Sequence, residues 1–116
     1  MPYRLSDAAA LDVDRILWET MRRFGPRQRR RYAQLINPAI GRVAEAPARP
    51  GSQPRDEFGP GVRSFHIERA ATQRGAAAHV LFYRVEQQHT DGSADILILR
   101  VLHERMDPTR HIIAES

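Results

Sequence analysis

A Gly25-Pro26 step separates two stretches of helical periodicity, and few architectures accommodate that arrangement. Before it, Ala9, Val13, Ile16, Leu17, Thr20 and Phe24 recur at three- and four-residue spacing, which places them on one face of a helix. Ser6 is a good N-cap for that helix, Asp7, Asp12 and Asp14 lie in its first half, and Arg22 and Arg23 close it in the sense its dipole favours. After the step, Tyr32, Leu35, Ile36, Ala39, Ile40 and Val43 form a second stripe. Glycine ends a helix readily, and proline opens one because the first helical N–H needs no partner. The pattern therefore predicts an antiparallel helical hairpin whose joint apolar face must cover something. Pro38 falls inside the second stripe and is expected to bend the helix near Asn37 rather than stop it, since Ile40 and Val43 continue the face.

What the hairpin covers is legible further on. Pro47, Pro50, Gly51, Pro54, Gly59, Pro60 and Gly61 mark an irregular loop. Val62–Glu68 then reads as a strand, 69–76 as a polar connection, and His79–Glu86 as a β-rich run ending before the Asp91-Gly92 turn. Ile96–Leu102 is apolar apart from Arg100, as suits a strand with neighbours on both sides. With a short opening strand at Tyr3–Leu5, the expectation is an α+β fold: a helical hairpin packed on a small, mainly antiparallel β-sheet, with 1–116 as a single domain.

Composition excludes several classes of function. The chain has no cysteine, which removes disulfide and thiolate chemistry, and no apolar run near the ~20 residues of a membrane span. Met1–Leu5 lacks the apolar stretch of a signal peptide, so a cytoplasmic protein without membrane association is expected. The net charge of +4 invites a nucleic-acid reading, but all 18 basic residues are arginine, so the arginine count reflects residue usage as much as function. Arg22, Arg23, Arg27, Arg29, Arg30 and Arg31 crowd the hairpin tip with only Tyr32 to offer stacking, which favours a solvated helix face over a nucleic-acid site. His66, His79, His89 and His111 show no zinc spacing, and Gly59 and Gly61 precede neither a phosphate-loop lysine nor a helix. Neither a metal nor another cofactor is expected.

Several ordered blocks carry a resemblance. Tyr3-Arg4-Leu5-Ser6, the Phe24-Gly25 break, Gly61-Val62-Arg63-Ser64, His79-Val80-Leu81-Phe82-Tyr83-Arg84 and Arg100-Val101-Leu102-His103-Glu104-Arg105-Met106-Asp107, followed by Arg110-His111, resemble the ParE toxins of the RelE/ParE superfamily. The resemblance implies the toxin half of a type II toxin–antitoxin pair, inhibiting DNA gyrase by binding and neutralised by a ParD-like antitoxin. Operator DNA would be met only indirectly, through that antitoxin. It also implies a RelE/ParE-like fold and leaves two alternatives: a RelE-type ribosome-dependent mRNA endoribonuclease, and an inactive toxin-like interaction or repressor domain.

A ribonuclease needs a base, an acid and cations around the phosphate. Arg84 and Arg100 are the candidate cations and His103 the candidate acid or base, with Glu57 or Glu68 as its partner. Arg100 and His103 are an odd number of positions apart and face opposite sides of a regular strand. Both arginines are equally well explained as ties to a backbone carbonyl or a carboxylate, so a toxin without a catalytic site is the favoured expectation. The toxic, target-binding surface is then expected at Arg100, His103, Met106, Arg110 and His111. For the antitoxin, the apolar sheet residues Phe65, Ile67, Leu81 and Tyr83 are expected contacts, with Trp18, which lies off the main stripe of its helix.

Overall fold

In a computed structural model, which describes residues 3–71 and 75–112, the order is strand, helix, helix, then four further strands. The strands are β1 (Tyr3–Leu5), β2 (Gln53–Pro54), β3 (Val62–His66), β4 (His79–Gln88) and β5 (Ala94–His103). The helices are α1 (Asp7–Phe24) and α2 (Pro26–Glu45). The five strands form one mixed sheet in the order β1-β5-β4-β3-β2, in which β1 runs parallel to β5 and the other pairs are antiparallel. The α+β reading of a hairpin on a sheet is therefore correct, with one parallel edge added.

Local chemistry accounts for the hairpin. The Ser6 hydroxyl accepts from the Ala9 amide at 3.0 Å and donates to the Leu99 carbonyl at 2.8 Å, so it caps α1 and fastens it to β5 together. Gly25, with φ +91°, closes α1 and precedes α2 directly, a left-handed backbone that a side chain would strain. Helix α2 continues through Pro38, which is exposed and supplies no N–H to the helix.

The hairpin covers one sheet face. Ala9 of α1 and Ile36, Ala39, Ile40 and Val43 of α2 meet Phe65, Leu81, Tyr83, Ile96, Ile98 and Val101 in the main core. The Tyr83 hydroxyl, in that core, donates to the Pro47 carbonyl at 2.6 Å, and Arg63 Nε donates to the same oxygen at 3.1 Å. A smaller cluster of Phe58, Val62, Phe82, Leu102 and Ile112 covers part of the opposite face. The apolar run of β5 thus has β1 and β4 on either side and cores on both faces, as its sequence requires.

Three details differ from the sequence reading. Phe24 closes the α1 stripe but is 69% exposed and lies outside the core that the other apolar residues of the stripe join. Strand β3 ends at His66, and Ile67–Ala70 turns into a short 3-10 helix that still buries Ile67. Strand β2 sits within the loop read as irregular and pairs only Gln53 with Ser64 and Pro54 with Arg63.

Candidate functional site

The C-terminal half of β5 and the turn after it carry most of the chemistry. Strand β1 pairs with β5 only through Ile98, so the edge of β5 beyond that point is open, and α1 closes it with a carboxylate. Asp12, 7% exposed, accepts from Arg100 Nε at 2.7 Å, Arg100 Nη2 at 2.8 Å and the Val101 amide at 2.9 Å. The remaining terminal nitrogen of Arg100, Nη1, donates to the His111 carbonyl at 2.8 Å. A bidentate ion pair between partly buried groups is among the stronger polar contacts a protein forms. The bond to Asp12 holds the Arg100 guanidinium above the ordinary arginine pKa, against the opposing effect of burial. Arg100 therefore ties helix, strand and C-terminal segment, and its hydrogen-bonding nitrogens are engaged.

At the end of the sheet three histidines gather. His79 and His103 are opposite each other on β4 and β5, with ring centroids 5.3 Å apart and nearly perpendicular. The Tyr32 hydroxyl of α2 accepts from the Ala78 amide at 3.1 Å and shares a hydrogen bond with His79 Nδ1. His66 Nδ1 accepts from the Glu68 amide at 3.1 Å, so its Nε2–H donates to Glu104 at 2.8 Å. His103 Nδ1 accepts from the Arg105 amide at 3.1 Å. Burial, then the neighbouring His103 and His66, push the His79 pKa down to about 4, outweighing Glu104 and Asp12. The hydrogen bond from His66 holds the Glu104 carboxyl below its ordinary value, while burial raises the Tyr32 hydroxyl. Among the described residues no three His, Asp or Glu side chains form a metal-binding group. The cluster joins α2 to the ends of three strands.

Beside it lies a cleft of about 250 Å³, whose lining includes Gln53, Arg55, His66, Arg69, Glu104 and Met106. Past the end of β5, the turn exposes Glu104, Arg105, Met106, Asp107, Thr109 and Arg110, with Met106 47% exposed. Asp107 caps this turn, accepting from the Thr109 amide at 3.0 Å and the Thr109 hydroxyl at 2.7 Å, bonds that lower its pKa.

The residues named for a nuclease are not gathered into one centre. Arg100 is bound to Asp12, His103 packs on His79, and Arg84 lies 3.8 Å from Glu86. Glu57 pairs with Arg55 at 3.5 Å, and Glu68 accepts from the Gly75 amide, so each proposed partner of His103 has another neighbour. Of the expected target surface, Met106 and Arg110 are exposed, His103 and His111 are half-buried, and Arg100 is a structural tie.

The expected antitoxin contacts need correction. Phe65, Ile67, Leu81 and Tyr83 are 0–2% exposed because they face the hairpin rather than open space. Period-two alternation identifies the two sides of a strand but not which one the helices will cover. Trp18 alone of that set is accessible, 59% exposed, with the Arg22 guanidinium 5.1 Å from its ring centre. The hairpin-tip arginines are exposed, and Arg22 and Arg23 lie 3.9 and 3.4 Å from Glu19, consistent with a solvated face.

Two helices packed on a five-stranded mixed sheet form an α+β fold consistent with RelE/ParE-like toxins. The family model for the ParE toxin of the type II toxin–antitoxin system parDE matches residues 3–108. Toxin ParE1 of Caulobacter vibrioides is 33% identical over 111 residues, covering 96% of this chain and 97% of the relative. Toxin ParE1 of Mycobacterium tuberculosis is 36% identical over 110 residues, covering 95% of this chain and 96% of the relative. The chain belongs to the ParE toxin family of type II toxin–antitoxin systems.

Proposed function

We propose that this toxin acts by binding, that its target is DNA gyrase, and that a ParD-like antitoxin neutralises it. The observation that carries the binding mode is the engagement of Arg100. With its guanidinium committed to Asp12 and the His111 carbonyl, Arg100 serves the fold, and the C-terminal segment beyond it is left as an exposed contact surface. That surface is an apolar anchor, Met106, among the exposed cations Arg105 and Arg110 and beside the cleft holding Arg55 and Arg69. Central apolar anchors ringed by polar groups are the usual energetic core of protein interfaces.

Gyrase and the ParD-like antitoxin come from the family rather than from the shape of this surface. The reading includes a single unit over 1–116, action in the cytoplasm without catalysis, and contact with operator DNA only through the antitoxin. No helix among the described residues is long and apolar enough to cross a membrane.

Two assays on the purified toxin separate the alternatives. Inhibition of supercoiling by purified gyrase, relieved by the antitoxin, is the expected result. Cleavage of ribosome-bound mRNA with supercoiling unimpaired would establish the endoribonuclease instead. Neither effect, with growth unaffected by soluble toxin, would leave an interaction or repressor domain.

A further inference from the structure

Helix α1 presents a second, outward stripe that its packing on the sheet does not use. Asp7, Leu11, Asp14, Arg15, Trp18 and Arg22 recur at three- and four-residue spacing, and all are exposed. Leu11 is 61% and Trp18 59% exposed, and two large apolar side chains one heptad apart on a solvent face call for a partner. The charges flanking them are ordered, with Asp7 and Asp14 on the N-terminal side of this stripe and Arg15 and Arg22 on the C-terminal side. Such a stripe is complementary to itself when reversed. A second α1 laid antiparallel, with the two-fold axis between Asp14 and Arg15, sets Asp7 against Arg22, Leu11 against Trp18 and Asp14 against Arg15. Every pair then recurs on the other side of the axis, as an isologous interface requires. Arg22 already lies over Trp18 at 5.1 Å, so the anchor and the cation facing Asp7 arrive together.

We propose that the outer face of α1 is a homodimer interface, in which two copies of this chain pair through antiparallel α1 helices. The inference goes beyond the gyrase reading and does not depend on it. A seam along one 18-residue helix is about 27 Å long and makes a small interface, so dissociation is expected on the order of 10–100 µM.

Sedimentation equilibrium of the purified full chain, from about 5 to 300 µM at low salt, tests this over the range that such an affinity requires. The mass should rise toward that of a dimer with concentration. Trp18→Glu should keep the chain monomeric throughout. Asp14→Arg, which sets arginine against arginine, should weaken association about tenfold. Asp14→Arg combined with Arg15→Asp should restore it, which a change in surface solubility would not do. These side chains point away from the sheet, so far-UV circular dichroism should stay native in every variant. A wild-type chain that remains monomeric overturns the proposal, as does a dimer indifferent to both Trp18→Glu and Asp14→Arg. A monomer whose Trp18 fluorescence moves only on adding antitoxin assigns the face to that partner and equally overturns it.

Discussion

Arg100 and Arg110 carry the same charge on the same C-terminal stretch, yet they serve different surfaces. Arg100 lies on the open edge of β5, where Asp12 accepts from it twice and from the next backbone amide once. Arg110 sits in a polar-capped turn with its side chain in solvent. A cation with a buried carboxylate partner holds the fold together, whereas a cation on an exposed turn is available to another molecule. The comparison divides the C-terminal segment into a structural part ending at the sheet and a contact part beyond it.

The largest expected effect lies on the structural side. Asp12→Ala removes three acceptor contacts and leaves Arg100 without its counter-charge, and should cost about 2–4 kcal/mol. Urea unfolding reads this as a lower midpoint at unchanged slope. A loss below about 1 kcal/mol would move Arg100 to the contact side, because a surface pair is worth no more than that.

Ser6→Ala tests the same tie at the start of α1, since Ser6 both caps the helix and holds it to Leu99. The expected loss is about 1–2 kcal/mol. Ser6→Gly should recover little, because glycine replaces the cap conformation but not the bond to Leu99; full recovery would reduce Ser6 to a local cap.

The histidine cluster at the end of the same strand sharpens the comparison through pH. His79 has a pKa of about 4 against an ordinary 6.5, so between these values the unfolded chain binds more protons than the folded one. Stability is therefore whole above about pH 6.5 and declines as pH falls toward 4. Allowing for solvent screening of a partly exposed ring, about 1 kcal/mol should be lost between pH 7 and pH 5. The Tm of His79→Gln should fall less over that interval. An equal fall would assign the effect to other groups.

Much of the fold was legible because its signals are local. Ser6, Gly25-Pro26 and the two apolar stripes delimit the hairpin, and the run around Arg100 marks a strand with neighbours on both sides. Strand β2 was not legible: two residues in a Pro/Gly loop show no periodicity and pair only because β3 offers an edge. The antitoxin contacts failed at Phe65, Ile67, Leu81 and Tyr83 because covering one sheet face is a decision of the tertiary fold. Asp12 had a signal that went unused. It is an acid within the helical spacing of Ala9, Val13 and Ile16, just as Arg100 is a base inside an apolar strand. Two charges lodged in apolar patterns tend to find each other, since burial of either alone is costly. His79 had no such signal, because only the sheet register sets it against His103 and only the hairpin brings Tyr32 to it.

The contact side of the comparison is tested with the doubly substituted toxin Met106→Ala/Arg110→Ala. Both side chains are exposed, so stability should stay within about 0.5 kcal/mol of the parent. Inhibition of purified gyrase in a supercoiling assay, measured beside the unaltered toxin, tests the central claim most directly. The account predicts inhibition by the parent and at least about a tenfold loss in the folded variant, the effect of removing an interface anchor. A parent toxin that leaves supercoiling untouched, or a variant that inhibits as well as the parent, would contradict it.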